Sequence, residues 1–159
     1  MTKQRPKLVP VIIGTGFGSG FFPWGPGTAG ALLATVLWYL LSLCLSSSWL
    51  VLATVLLVLV FTVAGVWSAD RLEPFWGEDP SRVVVDEMVG VWLALLACPA
   101  GSVGYAFLAF LLFRFFDILK PFGVRHMEKM GGGVGVMMDD VLAGLYAMLV
   151  DYVVRFSLI

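Results

Sequence analysis

The stretch Trp49-Leu50-Val51-Leu52-Ala53-Thr54-Val55-Leu56-Leu57-Val58-Leu59-Val60-Phe61-Thr62-Val63-Ala64-Gly65-Val66-Trp67 holds 19 residues and no charge. Roughly 20 apolar residues are needed to cross a hydrocarbon core about 30 Å thick, so this segment reads as a membrane span. The rest of the chain is of the same kind. Of 159 residues 60% are hydrophobic and 13% charged, with a mean hydropathy of +0.95. A soluble domain is about 45–50% apolar and about 25% charged. One domain of this length can bury a core, but it cannot hide so much apolar surface from water. A soluble enzyme and a disordered chain are both excluded, which leaves a single membrane-embedded domain over residues 1–159.

Outward from that stretch, residues 30–45, 83–97, 103–119 and 136–156 are further span candidates. Residues 8–22 are too short and too rich in glycine (Gly14, Gly16, Gly18, Gly20) to cross. The basic start (Lys3, Arg5, Lys7) has the look of a leader, but Pro10 and the glycines break the apolar run and no small-x-small cleavage site follows. It reads as mature protein. The expected fold is all-α: a polytopic transmembrane bundle with a short re-entrant or interfacial element at the N-terminus.

Ten Lys and Arg against eleven Asp and Glu give a net charge of −1, so nothing points to a nucleic-acid partner. Placement says more than the total. Lys3, Arg5 and Lys7, with Lys120, Arg125 and Lys129, mark one side as cytoplasmic. Parity then puts the polar segments 68–82 and 120–135 on that side, and the short uncharged connections 46–48 and 99–102 outside. Arg155, near an outer C-terminus, is the one discord.

This topology collects the unusual polar residues at one membrane face. Asp86 and Glu87 lie one turn into the third span, Arg114 and Asp117 in the last turns of the fourth, and Asp139 and Asp140 open the fifth. An ionisable group at the centre of a span costs about 2.5–3.5 kcal/mol on insertion scales. So many like charges need a counter-charge, and one Arg and one Lys are too few. A hard divalent cation such as Mg²⁺ suits them, because it takes oxygen ligands and shares them with substrate phosphate. A lone His126 and two unclustered cysteines, Cys44 and Cys98, argue against zinc. The bland alternatives are a proton or ion pathway and salt bridging within the bundle, which Arg114 and Asp117, three residues apart, can form.

The two acid pairs echo each other. Asp86 and Asp140 are each followed four residues later by glycine, Gly90 and Gly144, where neighbouring helices can approach closely. Residues 14–20 and 131–135 are glycine-rich approaches to helices. Backbone N–H groups there, those of Gly132 and Gly133 among them, can cradle phosphate oxygens or serve helix packing. Lys120, Arg125 and Arg114 can neutralise a phosphate, or Lys120 and Arg125 can act as interfacial anchors. Thr28, just after Pro26 and Gly27, can cap a helix or touch the site. No cysteine is followed six residues on by Arg, no Asp-x-Asp-x-Thr nucleophile is present, and one histidine cannot serve a two-histidine lipid phosphatase. Covalent catalysis lacks its usual parts, which leaves metal-activated water.

Five ordered blocks carry a family resemblance: residues 16–20 (Gly-Phe-Gly-Ser-Gly), 26–30 (Pro-Gly-Thr-Ala-Gly), 85–92 (Val-Asp-Glu-Met-Val-Gly-Val-Trp), 113–121 (Phe-Arg-Phe-Phe-Asp-Ile-Leu-Lys-Pro) and 132–140 (Gly-Gly-Val-Gly-Val-Met-Met-Asp-Asp). Together they resemble bacterial phosphatidylglycerophosphatase A over nearly the whole chain, with departures at Ala31 and Gly123. The resemblance implies a magnesium-dependent lipid phosphatase of the cytoplasmic (inner) membrane, which releases the terminal phosphate of phosphatidylglycerophosphate. It maps the acidic positions onto Asp86, Glu87, Asp117, Asp139 and Asp140, and the basic ones onto Arg114, Lys120 and Arg125. The expectation is Mg²⁺ between Asp86, Asp139 and Asp140, with Glu87 and Asp117 as further ligands or a base, and Arg114, Lys120 or Arg125 on the phosphoryl oxygens. Other phosphate contacts are Thr28, Gly132 and Gly133. A small ion- or proton-coupled transporter using the same acids is the alternative reading.

Overall fold

The computed structural model describes residues 4–121 and 123–159; Lys3, expected among the cytoplasmic markers, lies outside the described residues. The described chain is helical throughout: α1 Leu8–Gly14, α2 Pro26–Cys44, α3 Ser47–Trp76, α4 Val85–Leu95, α5 Val103–Leu119, α6 Val124–Glu128 and α7 Gly132–Ser157, with a 3-10 turn at Ser19–Phe21. Three helices, α2, α3 and α7, are long and apolar enough to cross a bilayer. Their outward faces carry bare Leu, Val and Phe side chains such as Leu40, Leu59, Val63 and Val153, as faces turned to lipid do.

The third expected span is different. Helix α4 has 11 residues and reaches only about 16 Å at 1.5 Å per residue. It does not face lipid: all of its residues but Glu87 are buried, packed by α2, α3, α5 and α7. Its continuous hydrophobicity is that of a core helix, which a hydropathy reading cannot tell from a span. Helix α5, with 17 residues, sits at the short end of the spanning range.

Two boundaries also move. Residues 68–76, expected as loop, continue α3. Ser68, Ala69 and Leu72 are buried there against α1 and its neighbours, so tertiary packing extends the helix past the membrane-length segment. Pro74 falls in the last turn, and Gly77, at φ 86°, ends the helix. At the other site the glycine-rich segment expected before the fifth span is already the first turn of α7. The Gly133 N–H donates to Asp70 Oδ1 at 2.6 Å, so a carboxylate from α3 satisfies an otherwise orphaned amide at the positive end of α7. A backbone this close to the Val66 carbonyl leaves no room for a Cβ at Gly133. Replacing Asp70 by Ala should cost about 1 kcal/mol, read as a lower unfolding midpoint in detergent, with Asp70→Asn close to wild type.

The N-terminal segment works as a buttress. Helix α1 is seven residues long, too short to cross. The chain then turns through Gly18 at φ 93°, and Gly20 packs on the Arg82 carbonyl. The Val84 N–H donates to the Gly14 carbonyl at 2.8 Å, which fixes where α4 begins. In the other half of the bundle two buried indoles tie the helices together. Trp38 Nε1 donates to Thr54 Oγ1 at 2.9 Å, and Trp92 Nε1 to the Ala34 carbonyl at 3.0 Å.

The α4–α7 crossing decides the position of the site. Gly90 and Gly144 meet there, and a Cβ at Gly144 would collide with the Gly90 carbonyl, carbonyl carbon and Cα. Because each glycine follows an acid by one helical turn, the contact carries Asp86 and Asp140 to the same level on adjoining faces.

Candidate active site

Carboxylate oxygens of Asp86, Glu87 and Asp140 all lie within 4.8 Å of one another. Asp86 and Asp140 are buried at 5% and 2% exposure, and Asp140 sits eight residues, about 12 Å, along α7 from its start. Three carboxylates at this spacing repel one another. Two of their oxygens, Asp86 Oδ1 and Glu87 Oε2, are buried with no hydrogen-bond partner among the described residues. Native proteins rarely strand polar atoms in this way, and an all-oxygen set of anionic donors with unfilled lone pairs is what a hard divalent cation binds.

Around this trio the chain places its cations. Arg114 on α5 is ion-paired with Asp117, one turn on, and Asp117 in turn lies against Asp140. The guanidinium and Glu87 both rest against Gly27 in the first turn of α2, where a side chain would displace them. Arg114 Nε is buried without a partner among the described residues, which leaves a positively charged donor beside the carboxylates. Lys120, at the C-terminal end of α5 with φ 48°, is paired with Glu128 of α6 and with Asp139 at 3.2 Å. Burial lowers its pKa, but those two carboxylates outweigh it and hold the ammonium above its usual range. It is a fixed cation at neutral pH.

The structure brings some of the expected positions together and sets others apart. Asp139 points away from the trio, as the roughly 100° step between neighbouring helical residues requires: its Oδ1 accepts the Asp140 N–H at 2.9 Å and its Oδ2 accepts from Lys120. Glu87, expected as ligand or base, stands inside the trio. Arg125 is exposed on α6. Gly132 and Gly133 lie two turns from Asp140, and the Gly133 N–H holds Asp70 in place of a phosphate. Thr28 is exposed and rims an apolar groove on α2. Asp70 and Glu128 were missed, and the reason is local: each sits among solvated charges, and only the fold brings it to a partner.

Comparisons with known proteins identify the family. The phosphatidylglycerophosphatase A family profile matches residues 12–155. The chain is 59% identical over 154 residues to a putative phosphatidylinositol-3-phosphatase of Bacteroides thetaiotaomicron, covering 96% of this chain and 97% of that protein. It is 38% identical to phosphatidylglycerophosphatase A of Haemophilus influenzae, covering 98% of each. Against the Escherichia coli protein of the same name it is 33% identical over 84% of this chain and 76% of the relative. No solved structure matches. With the profile spanning almost the whole chain and the buried acids standing inside it, this protein belongs to the phosphatidylglycerophosphatase A family and is a phosphoric monoester hydrolase of the membrane.

Proposed function

We propose that the protein hydrolyses the terminal phosphate of phosphatidylglycerophosphate, with Mg²⁺, at the cytoplasmic face of a bacterial inner membrane. The observation that carries this reading is the trio Asp86, Glu87 and Asp140, with its two unpartnered buried oxygens beside the unpartnered Nε of Arg114. These three carboxylates would hold the cation, which when bound polarises a phosphoryl oxygen and makes water more acidic. Arg114 donates to the equatorial phosphoryl oxygens where negative charge grows, and Asp117 holds the guanidinium in that position. Lys120, kept charged by Glu128 and Asp139, attracts the dianionic headgroup to the mouth of the site. Hydrolysis joins a water oxygen to phosphorus and breaks the bond to the glycerol oxygen. A carboxylate of the cluster takes one proton from the water and passes it to the departing glycerol oxygen. The cytoplasmic assignment rests on Arg5 and Lys7 standing at the same end of the chain's topology as Lys120, Arg125 and Lys129.

A second headgroup has an observation in its favour, since the 59% identical relative bears the name putative phosphatidylinositol-3-phosphatase. Transport is less well supported. Between Asp140 and Asp151 the buried residues of α7 are Ala143, Gly144 and Ala147, and they offer no polar step for an ion.

The test is phosphate release in detergent micelles from phosphatidylglycerophosphate and from phosphatidylinositol 3-phosphate, each with Mg²⁺ and with excess EDTA. The expected result is release from phosphatidylglycerophosphate that EDTA abolishes and added Mg²⁺ restores. Release from the inositol lipid alone transfers the assignment to that headgroup. Release that EDTA leaves unchanged removes the cation from the mechanism.

A further inference from the structure

A groove of about 400 Å³ runs along the outward face of α2. Phe22 and Trp24 wall one side, with their rings edge to face at 5.9 Å. Ala29, Leu32 and Leu33 form its floor, with Thr28 at its rim. We propose that this groove seats one acyl chain of the phosphomonoester lipid, so that Ala29 and Leu33 set selectivity for chain length; this rests on the lipid-phosphatase reading above.

The argument is one of continuity. Gly27 is the residue against which both Glu87 and Arg114 lie, and the next residue, Thr28, is the rim of the groove. A phosphate held by Arg114 therefore emerges, through its headgroup, at the polar end of an apolar channel. Trp24 is 81% exposed at that end, the placement of an aromatic anchor at a membrane interface. Other hollows lack this connection. An apolar one of about 230 Å³ between α2 and α3, around Leu41, Leu57 and Phe61, is lined by no site residue. Another, of about 150 Å³ with Cys98 and Arg155 in its wall, lies toward the opposite end of α7 from Asp140. A chain lying in the α2 groove adds binding energy with each buried methylene, which a short-chain or chainless substrate cannot use.

Two experiments test this. In the first, Ala29→Phe and Leu33→Trp, which fill the groove, are compared with Val63→Trp on the lipid-facing side of α3. The substrates are dioleoyl and dibutyryl phosphatidylglycerophosphate. The groove variants should raise KM for the dioleoyl substrate about tenfold with kcat held and leave kcat/KM for the dibutyryl substrate unchanged, whereas Val63→Trp should change neither. Equal effects on both substrates, or none on either, overturn the groove. A wild-type protein inactive on both lipids instead overturns the phosphatase reading on which it rests. The second experiment needs no variant: a substrate analogue with a diazirine in its acyl chain is irradiated with the wild-type protein. Labelling of residues 22–36 is expected, and labelling confined to α3 or α7 overturns the assignment.

Discussion

Asp140→Asn should lower phosphate release by about 10³-fold, the scale on which positioned acid–base and electrostatic groups act, while the protein stays folded. The substitution preserves shape and removes one negative charge from a set of three carboxylates within 4.8 Å. Asparagine is a poor partner for a divalent cation and cannot take a proton from water. Because the three acids repel one another when nothing neutralises them, the variant should unfold at a temperature no lower than wild type in EDTA. Addition of Mg²⁺ should then raise the wild-type midpoint more than that of the variant, since a ligand stabilises the state it binds. That thermal readout is independent of turnover. Wild-type rates from Asp140→Asn would remove the residue from the mechanism.

The comparison that gives this result its meaning is Asp151→Asn. Asp151 is also buried, three turns further along the same helix, with its Oδ2 accepting from the Cys98 thiol at 3.2 Å. It shares the cost of a carboxylate inside a helical bundle but none of the neighbours of the site. Its replacement should leave kcat within about threefold of wild type, in line with the small effects of changes outside a reacting centre. A large loss in both variants would mean that the charges in α7 serve folding alone.

How far the site could be read from sequence depends on the helical step. The membrane character and the all-helical bundle follow from apolar runs such as residues 49–67, because nothing but lipid or a helical core accepts them. Asp86 and Asp140 were legible as well, since an acid inside an apolar run is costly wherever it lies. Hydropathy could not separate α4, enclosed on all sides, from a helix that touches lipid. The division of labour between Asp139 and Asp140 was hidden too: both orientations were open until Lys120, just past the end of α5, was placed beside one of them. Glu128 and Asp70 act across eight and 63 positions of the chain, and no periodicity reports such pairings.

The second large effect belongs to the packing that builds the site. Gly144→Ala adds one methyl group where the Gly90 backbone already lies, so the helices must separate or bend. Overpacking of this kind costs about 1–3 kcal/mol when neighbours can yield, and here the neighbour is main chain, which yields least. Relief of the glycine entropy penalty returns about 1 kcal/mol, too little to reverse the sign. Gly104→Ala isolates that relief, since a Cβ at Gly104 on α5 meets nothing within 4 Å. The expected pair of results is an unfolding midpoint unchanged or raised for Gly104→Ala, and lowered for Gly144→Ala. In whatever fraction of Gly144→Ala folds, activity should fall further than stability. Moving α7 off α4 parts Asp140 from Asp86 before it unfolds anything else. A Gly144→Ala protein with wild-type midpoint and rate would show that the glycine contact does not set the spacing of the acids.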